Sequence, residues 1–154
     1  MRLTAANAAE TRALGSRLAV ALLDADEPGA LFIGLTGDLG AGKTTLVGGL
    51  LAALGHEGAA RSPTYTLIEP YRLAGRDVNH CDLYRLRHPS ELENLGIRDL
   101  ATPRSLLLLE WPERAEGRLG TPDLSLELVY LDYGRSVDFA AASEAGRRVL
   151  ARLV

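Results

Sequence analysis

Residues Gly37-Asp38-Leu39-Gly40-Ala41-Gly42-Lys43-Thr44 bring glycines, a lysine and a hydroxyl together at a spacing suited to phosphate chemistry. The run fits G-x-x-x-x-G-K-[ST]. In that pattern glycines let successive backbone N–H groups turn into one concavity, the lysine reaches the outer phosphates of a nucleotide, and the hydroxyl holds Mg²⁺. Lys43 is the only lysine in the chain, and every other residue of the Lys/Arg class is arginine. A compact ammonium suits the space between phosphate oxygens, where a planar guanidinium fork fits poorly.

Phosphoryl chemistry at such a loop needs a second acidic group near the metal, usually from the tip of a neighbouring strand. Glu110 ends the apolar run Leu106-Leu107-Leu108-Leu109 and is the candidate, the alternative being a solvated strand end. Trp111 follows it and either packs as ordinary core or lines the nucleotide site. In His80-Cys81-Asp82-Leu83-Tyr84-Arg85, strand alternation puts His80, Asp82 and Tyr84 on one face and Cys81 and Leu83 on the other. Asp82 could orient an attacking water or hold a metal-bound water; the alternative is an exposed hairpin face. The same alternation argues against a zinc site made from His80, Cys81 and Asp82. Ser62, Thr64 and Thr66 surround Pro63 in a stretch of the kind that senses a γ-phosphate in nucleotide switches, although surface loops share that composition.

These groups must be positioned by regular elements, and the pattern supplies them. Thr4 to about Leu23 has helical spacing at Leu14, Leu18, Ala21 and Leu22, with Thr4 or Asn7 as a cap. Leu31 to Leu35 reads as a buried strand leading into the glycine-rich loop. Leu46, Val47, Leu50, Leu51 and Leu54 then fall on one face of a helix stopped by Gly55. Tyr65 to Tyr84 alternates around a turn near Ala74-Gly75-Arg76, which predicts a β-hairpin. A short helix over Pro89–Leu95, a buried strand over Ser105–Glu110, a strand pair over Leu124–Tyr133 and Arg135–Ala141, and a last helix over Ser143–Leu153 complete the expectation. Together they describe one α/β domain over residues 1–154, a P-loop fold with a mixed sheet flanked by helices.

With 154 residues, 47% hydrophobic and 24% charged, the chain has the composition of a globular domain rather than a disordered one. A net charge of −3 argues against direct nucleic-acid binding. One cysteine excludes an internal disulfide and fits a reducing compartment, and no apolar run has the length of a membrane span. The expected location is cytoplasmic.

Taken in order, Gly37-Asp38-Leu39-Gly40-Ala41-Gly42-Lys43-Thr44-Thr45, Ser62-Pro63-Thr64-Tyr65-Thr66-Leu67, His80-Cys81-Asp82-Leu83-Tyr84-Arg85, Glu91-Leu92-Glu93, Leu95-Gly96-Ile97-Arg98-Asp99 and Leu109-Glu110-Trp111-Pro112-Glu113 resemble the TsaE (YjeE) family of bacterial P-loop ATPases. The resemblance implies an Mg²⁺-dependent ATPase that serves threonylcarbamoyladenosine modification of tRNA, with TsaD and TsaB as partners and tRNA met only through them. It implies that Lys43, Asp82 and Glu110 are catalytic, and that Thr44 and Glu110 hold the metal. It also implies that Asp38, Leu39, Gly40, Ala41, Gly42, Lys43, Thr44, Thr45, Thr64 and Trp111 meet the nucleotide, with Arg135 a weaker match. Cys81 departs from the aromatic that family members often carry, which bears on packing. A small-molecule kinase and a non-hydrolysing, nucleotide-dependent interaction module are the rival readings. No insertion has the length of a kinase's arginine-bearing lid.

Overall fold

Strand pairing begins earlier than the helical reading of the N-terminus predicts. The computed structural model describes residues 1–60, 63 and 66–154, and in it Arg2–Ala5 forms strand β1, paired antiparallel with the strand that starts at Arg135. Four residues are too few to show a period, and Thr4 caps nothing. Helix α1, Ala8–Ala25, starts at the other expected cap. The Asn7 side chain accepts from the Glu10 N–H at 2.9 Å, and Glu10 in turn accepts from the Ala6 N–H at 2.8 Å.

The remaining elements follow in the expected order. They are β2 (Leu31–Thr36), α2 (Lys43–Ala53), β3 (Ile68–Leu73), β4 (Arg76–Asp82), α3 (Glu91–Leu95), β5 (Leu106–Glu110), β6 (Leu124–Tyr130), β7 (Arg135–Ala141) and α4 (Glu144–Leu153). Short 3₁₀ turns at Ile97–Leu100 and Pro112–Ala115 were not legible in the pattern. Three boundaries are tighter than expected. The hairpin strands stop at Ala74 and Gly75, which both take left-handed backbone angles, so the two-residue turn matches the twist of its strands. Tyr84 lies beyond β4, and β6 ends at Tyr130 instead of Tyr133.

Among the described residues seven strands form one mixed sheet in the order β1-β7-β6-β2-β5-β4-β3. The inner four, β6, β2, β5 and β4, run parallel, and the outer pairings are antiparallel. The expected α/β fold with a mixed sheet flanked by helices is therefore what the chain adopts. Parallel strands end on the same side, so the C-terminal tips of β2, β5 and β4 stand side by side. In register, Leu35 opposes Glu110, and Glu110 opposes Asp82.

β5 is apolar on both faces, as a strand covered on both sides must be. Leu106 and Leu108 join the core under α1, α2 and α4, whereas Leu109 joins Cys81, Leu83, Leu92 and Ile97 in a second core. Val78, His80 and Asp82 share the parity of the first face, so the polar end of β4 points toward the side that carries α2. That helix is seated against α1 by close contact: a Cβ on Gly49 would lie 1.9 Å from the Arg12 carbonyl oxygen. Only glycine permits so close a crossing, and it fixes the helix whose first turn carries Lys43 and Thr44.

Candidate functional site

Between β2 and α2 the chain turns through residues 37–42 and enters the helix at Gly42, with φ of 107° and no capping side chain. The first-turn N–H groups have no intrahelical acceptor, so they and the positive end of the helix dipole face the loop's concavity. A φ of this sign is one that residues with a Cβ rarely adopt, so another residue here would be strained. A Cβ there would sit 2.3 Å from Nη1 of Arg135, whose guanidinium donates to the Ala41 carbonyl at 3.2 Å.

Lys43 is the first residue of α2 and is only 4% exposed. Its ammonium donates to the Asp38 carbonyl at 3.0 Å and to that of Gly37, and lies 4.4 Å from the centre of the Trp111 ring. Burial pulls its pKa below the usual lysine value, against the opposing pull of Glu110, Asp82, Glu113 and Asp38. A buried cation held by carbonyl dipoles and a ring face stands ready to exchange them for anionic oxygens.

Next to it the Thr44 hydroxyl donates to Glu110, 2.9 Å from Oε1 and 3.2 Å from Oε2. Glu110 is 2% exposed, so it is not a solvated strand end. Its Oε1 is also 2.8 Å from Nε2 of His80, a side chain with no exposed surface. Asp82, half-buried on the neighbouring strand tip, accepts from the Tyr84 N–H at 2.9 Å. Burial raises its pKa above the ordinary aspartate value and the nearby Glu110 adds to this, while the Tyr84 N–H, His80 and Lys43 oppose it.

These side chains line one open cleft of about 360 Å³, bounded by Leu39, Gly40, Gly42, Lys43, Thr44, Thr45, Asp82, Tyr84, Arg85, Glu110 and Trp111. Asp38, Ala41 and Arg135 stand outside that lining. Asp38 contributes its carbonyl to Lys43, Ala41 is fully buried, and Arg135 braces the loop from β7. Thr64 lies outside the described residues, as do Arg61, Ser62 and Tyr65.

The sequence missed three features. His80 carried no assigned role, although its parity with Asp82 was the available signal. Arg135 supports the loop's backbone, a contact across 94 positions of sequence that local pattern does not carry. Tyr84 and Trp111 meet with ring centres 5.0 Å apart and planes tilted by 45°, and Arg114 lies 5.5 Å over the Tyr84 ring, forming an aromatic wall at the cleft. Cys81, by contrast, faces the second core, and burial pushes its thiol up to about 12, so it is no nucleophile.

The donor set suits a nucleotide bound with Mg²⁺. One carboxylate and one hydroxyl stand beside a phosphate-type loop, and among the described residues no group of three or more His, Cys, Asp or Glu could cage a metal. Mg²⁺ commonly takes one or two carboxylates and completes its shell with phosphate oxygens and water.

The family model described as "Threonylcarbamoyl adenosine biosynthesis protein TsaE" matches residues 5–137, most of the chain and every residue of this cleft. The chain belongs to the TsaE family. The tRNA threonylcarbamoyladenosine biosynthesis protein TsaE of Haemophilus influenzae is 43% identical over 136 residues, covering 88% of this chain and 86% of that one. The TsaE protein of Bacillus subtilis is 36% identical over 110 residues, covering 70% and 67%. Among solved structures, Bacillus subtilis YdiB superposes with a TM-score of 0.70 at 25% identity, over 99% of this chain and 93% of that one. The fold and the TsaE membership thus agree with the resemblance read from the motifs.

Proposed function

We propose that this chain is an Mg²⁺-dependent ATPase serving threonylcarbamoyladenosine modification of tRNA, working with TsaD and TsaB, which carry out the transfer. The observation that carries the ATPase reading is the Thr44–Glu110 pair at 2.9 Å beside the Lys43 ammonium, at the mouth of a glycine-rich loop. The pathway follows from TsaE membership and from the names of the relatives.

ATP bound with Mg²⁺ would supply the scissile phosphoryl group and a metal to neutralise its charge. The chain's own residues divide the remaining work. Loop N–H groups and the α2 N-terminus bind the phosphates, and Lys43 leaves the Gly37 and Asp38 carbonyls to meet the outer ones. Thr44 and Glu110 would hold the metal. Asp82, at the adjacent strand tip, is the carboxylate available to orient a water, and its raised pKa comes first from its burial, with Glu110 adding to it. Trp111 and Tyr84 wall the cleft. The acidic balance of −3 favours contact with tRNA through partners over direct binding, and a tRNA-modifying role implies action in the cytoplasm.

The deciding experiment measures phosphate release from ATP by the chain alone and with purified TsaD and TsaB, for wild type and Lys43→Ala. Slow release alone, stimulation by the partners and loss in Lys43→Ala is the expected result. Unchanged activity of Lys43→Ala in the assembled mixture would refute the assignment. Phosphorylation of a small molecule in place of phosphate release would favour the kinase reading.

A further inference from the structure

We infer that His80 is the positioning residue for the metal-binding carboxylate, holding Glu110 Oε1 so that Oε2 stays the less engaged oxygen beside Thr44; this rests on the ATPase reading above.

Glu110 is met by the side chains of Thr44 and His80. A carboxylate only accepts, so for the 2.8 Å contact to be a bond, Nε2 of His80 must carry the hydrogen. Among the described residues Oε1 then takes two donors, His80 and the shorter bond from Thr44, whereas Oε2 takes only the 3.2 Å arm from Thr44. Oε2 is the freer oxygen. The two donors also differ in what they can do when a metal binds. Thr44 belongs to the phosphate loop's own helix, and a hydroxyl that turns a lone pair to a cation reorients the hydrogen it was giving Glu110. His80 sits one strand away on β4, opposite Leu108 of β5, with no exposed surface and no role at the phosphates. Its bond to Oε1 does not depend on the state of the loop.

A second observation separates this from ordinary core packing. The other ring nitrogen, Nδ1, is buried with no hydrogen-bond partner among the described residues. A histidine kept merely for packing gains nothing over leucine at such a position and leaves a polar atom unsatisfied. The contact with Glu110 is what this side chain provides. Donors behind metal-binding carboxylates fix their orientation, and removing them typically costs about 10- to 100-fold in metal affinity.

The test titrates Mg²⁺ against binding of the non-hydrolysable analogue AMP-PNP to the full chain, with EDTA as the metal-free baseline, for wild type, His80→Leu and His80→Gln. Glutamine places its amide nitrogen as many bonds from Cβ as Nε2 of histidine, so it keeps the donor without the ring. Expected is an Mg²⁺ midpoint raised about 10- to 100-fold in His80→Leu, restored to within about threefold in His80→Gln, with metal-free AMP-PNP binding alike in all three. An unshifted midpoint in His80→Leu overturns the inference, and so do equal shifts in both variants or a parallel loss of metal-free binding, since these last two mark packing and not the donor. Should His80→Leu fail to fold, His80→Asn, whose amide is one bond shorter, takes its place. A wild type that binds AMP-PNP without regard to Mg²⁺ defeats the metal-dependent reading itself and this inference with it.

Discussion

Replacing Lys43 by methionine should separate the stability of the chain from its grip on phosphate. The ammonium is 4% exposed and donates to two backbone carbonyls, but burial is the largest influence on its pKa and acts against the charge. Methionine fills a similar volume, relieves that desolvation and leaves carbonyls in an open cleft where water can reach them, so free stability should change by no more than about 1 kcal/mol. Binding behaves differently. A cation about 4 Å from a phosphate charge at an effective dielectric near 20 contributes about 4 kcal/mol, close to a thousandfold in affinity. At a nucleotide concentration about 100 times the wild-type Kd, bound ligand adds about 2.7 kcal/mol, or roughly 5–11 °C in Tm for a domain of this size. With affinity down a thousandfold, the same concentration adds less than about 0.1 kcal/mol to Lys43→Met. The assay is thermal unfolding with and without ATP and Mg²⁺. A variant that keeps half the wild-type Tm shift would refute the reasoning. The pH dependence gives a second check. Between the lowered folded value and the ordinary one, the unfolded chain binds more protons, so wild-type stability should gain from this group as pH rises through that window. The gain should be missing from the methionine variant.

Asp82→Asn should lose ATP hydrolysis while nucleotide affinity stays within a few-fold, and should stabilise the nucleotide-free chain at neutral pH. With a folded pKa above the ordinary value, wild-type stability falls as pH rises between the two, so the advantage of asparagine should vanish at pH below the unfolded value. Equal stability of the two proteins at neutral and acid pH in urea titrations would count against it. Glu110→Gln should abolish the Mg²⁺ dependence of nucleotide binding, leaving metal-free binding near wild type; calorimetry with and without EDTA tests this, and a retained Mg²⁺ effect contradicts the role. Gly49→Ala brings a Cβ 1.9 Å from the Arg12 carbonyl oxygen, so α1 and α2 must part. Overpacking of this kind should outweigh the helix propensity gained and destabilise by about 2 kcal/mol, lowering Tm by roughly 4–8 °C; a variant that melts at or above wild type would show that the crossing yields without strain.

Much of this molecule was readable before any fold was known, because local rules govern those parts. The phosphate loop is contiguous, and its glycines, lysine and hydroxyl carry their chemistry at fixed offsets. The strand before it and the helix after it show their own periods, and Gly75 marks the hairpin turn by its backbone freedom. Strand β1 was not readable, since Arg2–Ala5 is held by pairing with residues beyond position 130 and has no pattern of its own. The 3₁₀ turn at Pro112–Ala115 escaped for a similar reason, its geometry following from how the chain leaves β5.

The sequence by itself determined that a phosphate-binding loop exists, which side chains it offers, and that two acidic residues end apolar or alternating runs. It could not bring those residues together, since Thr44 and Glu110 are 66 positions apart and His80 is 30 from Glu110. The tertiary structure decided that β4, β5 and β2 lie parallel and adjacent, so that three strand tips share one cleft. It also set the close α1–α2 crossing that holds the loop's helix over them, and it turned His80 from a residue on a polar face into a buried donor to Glu110. The physical reason is that a period fixes which face a side chain occupies, whereas only strand order and register fix what that face meets.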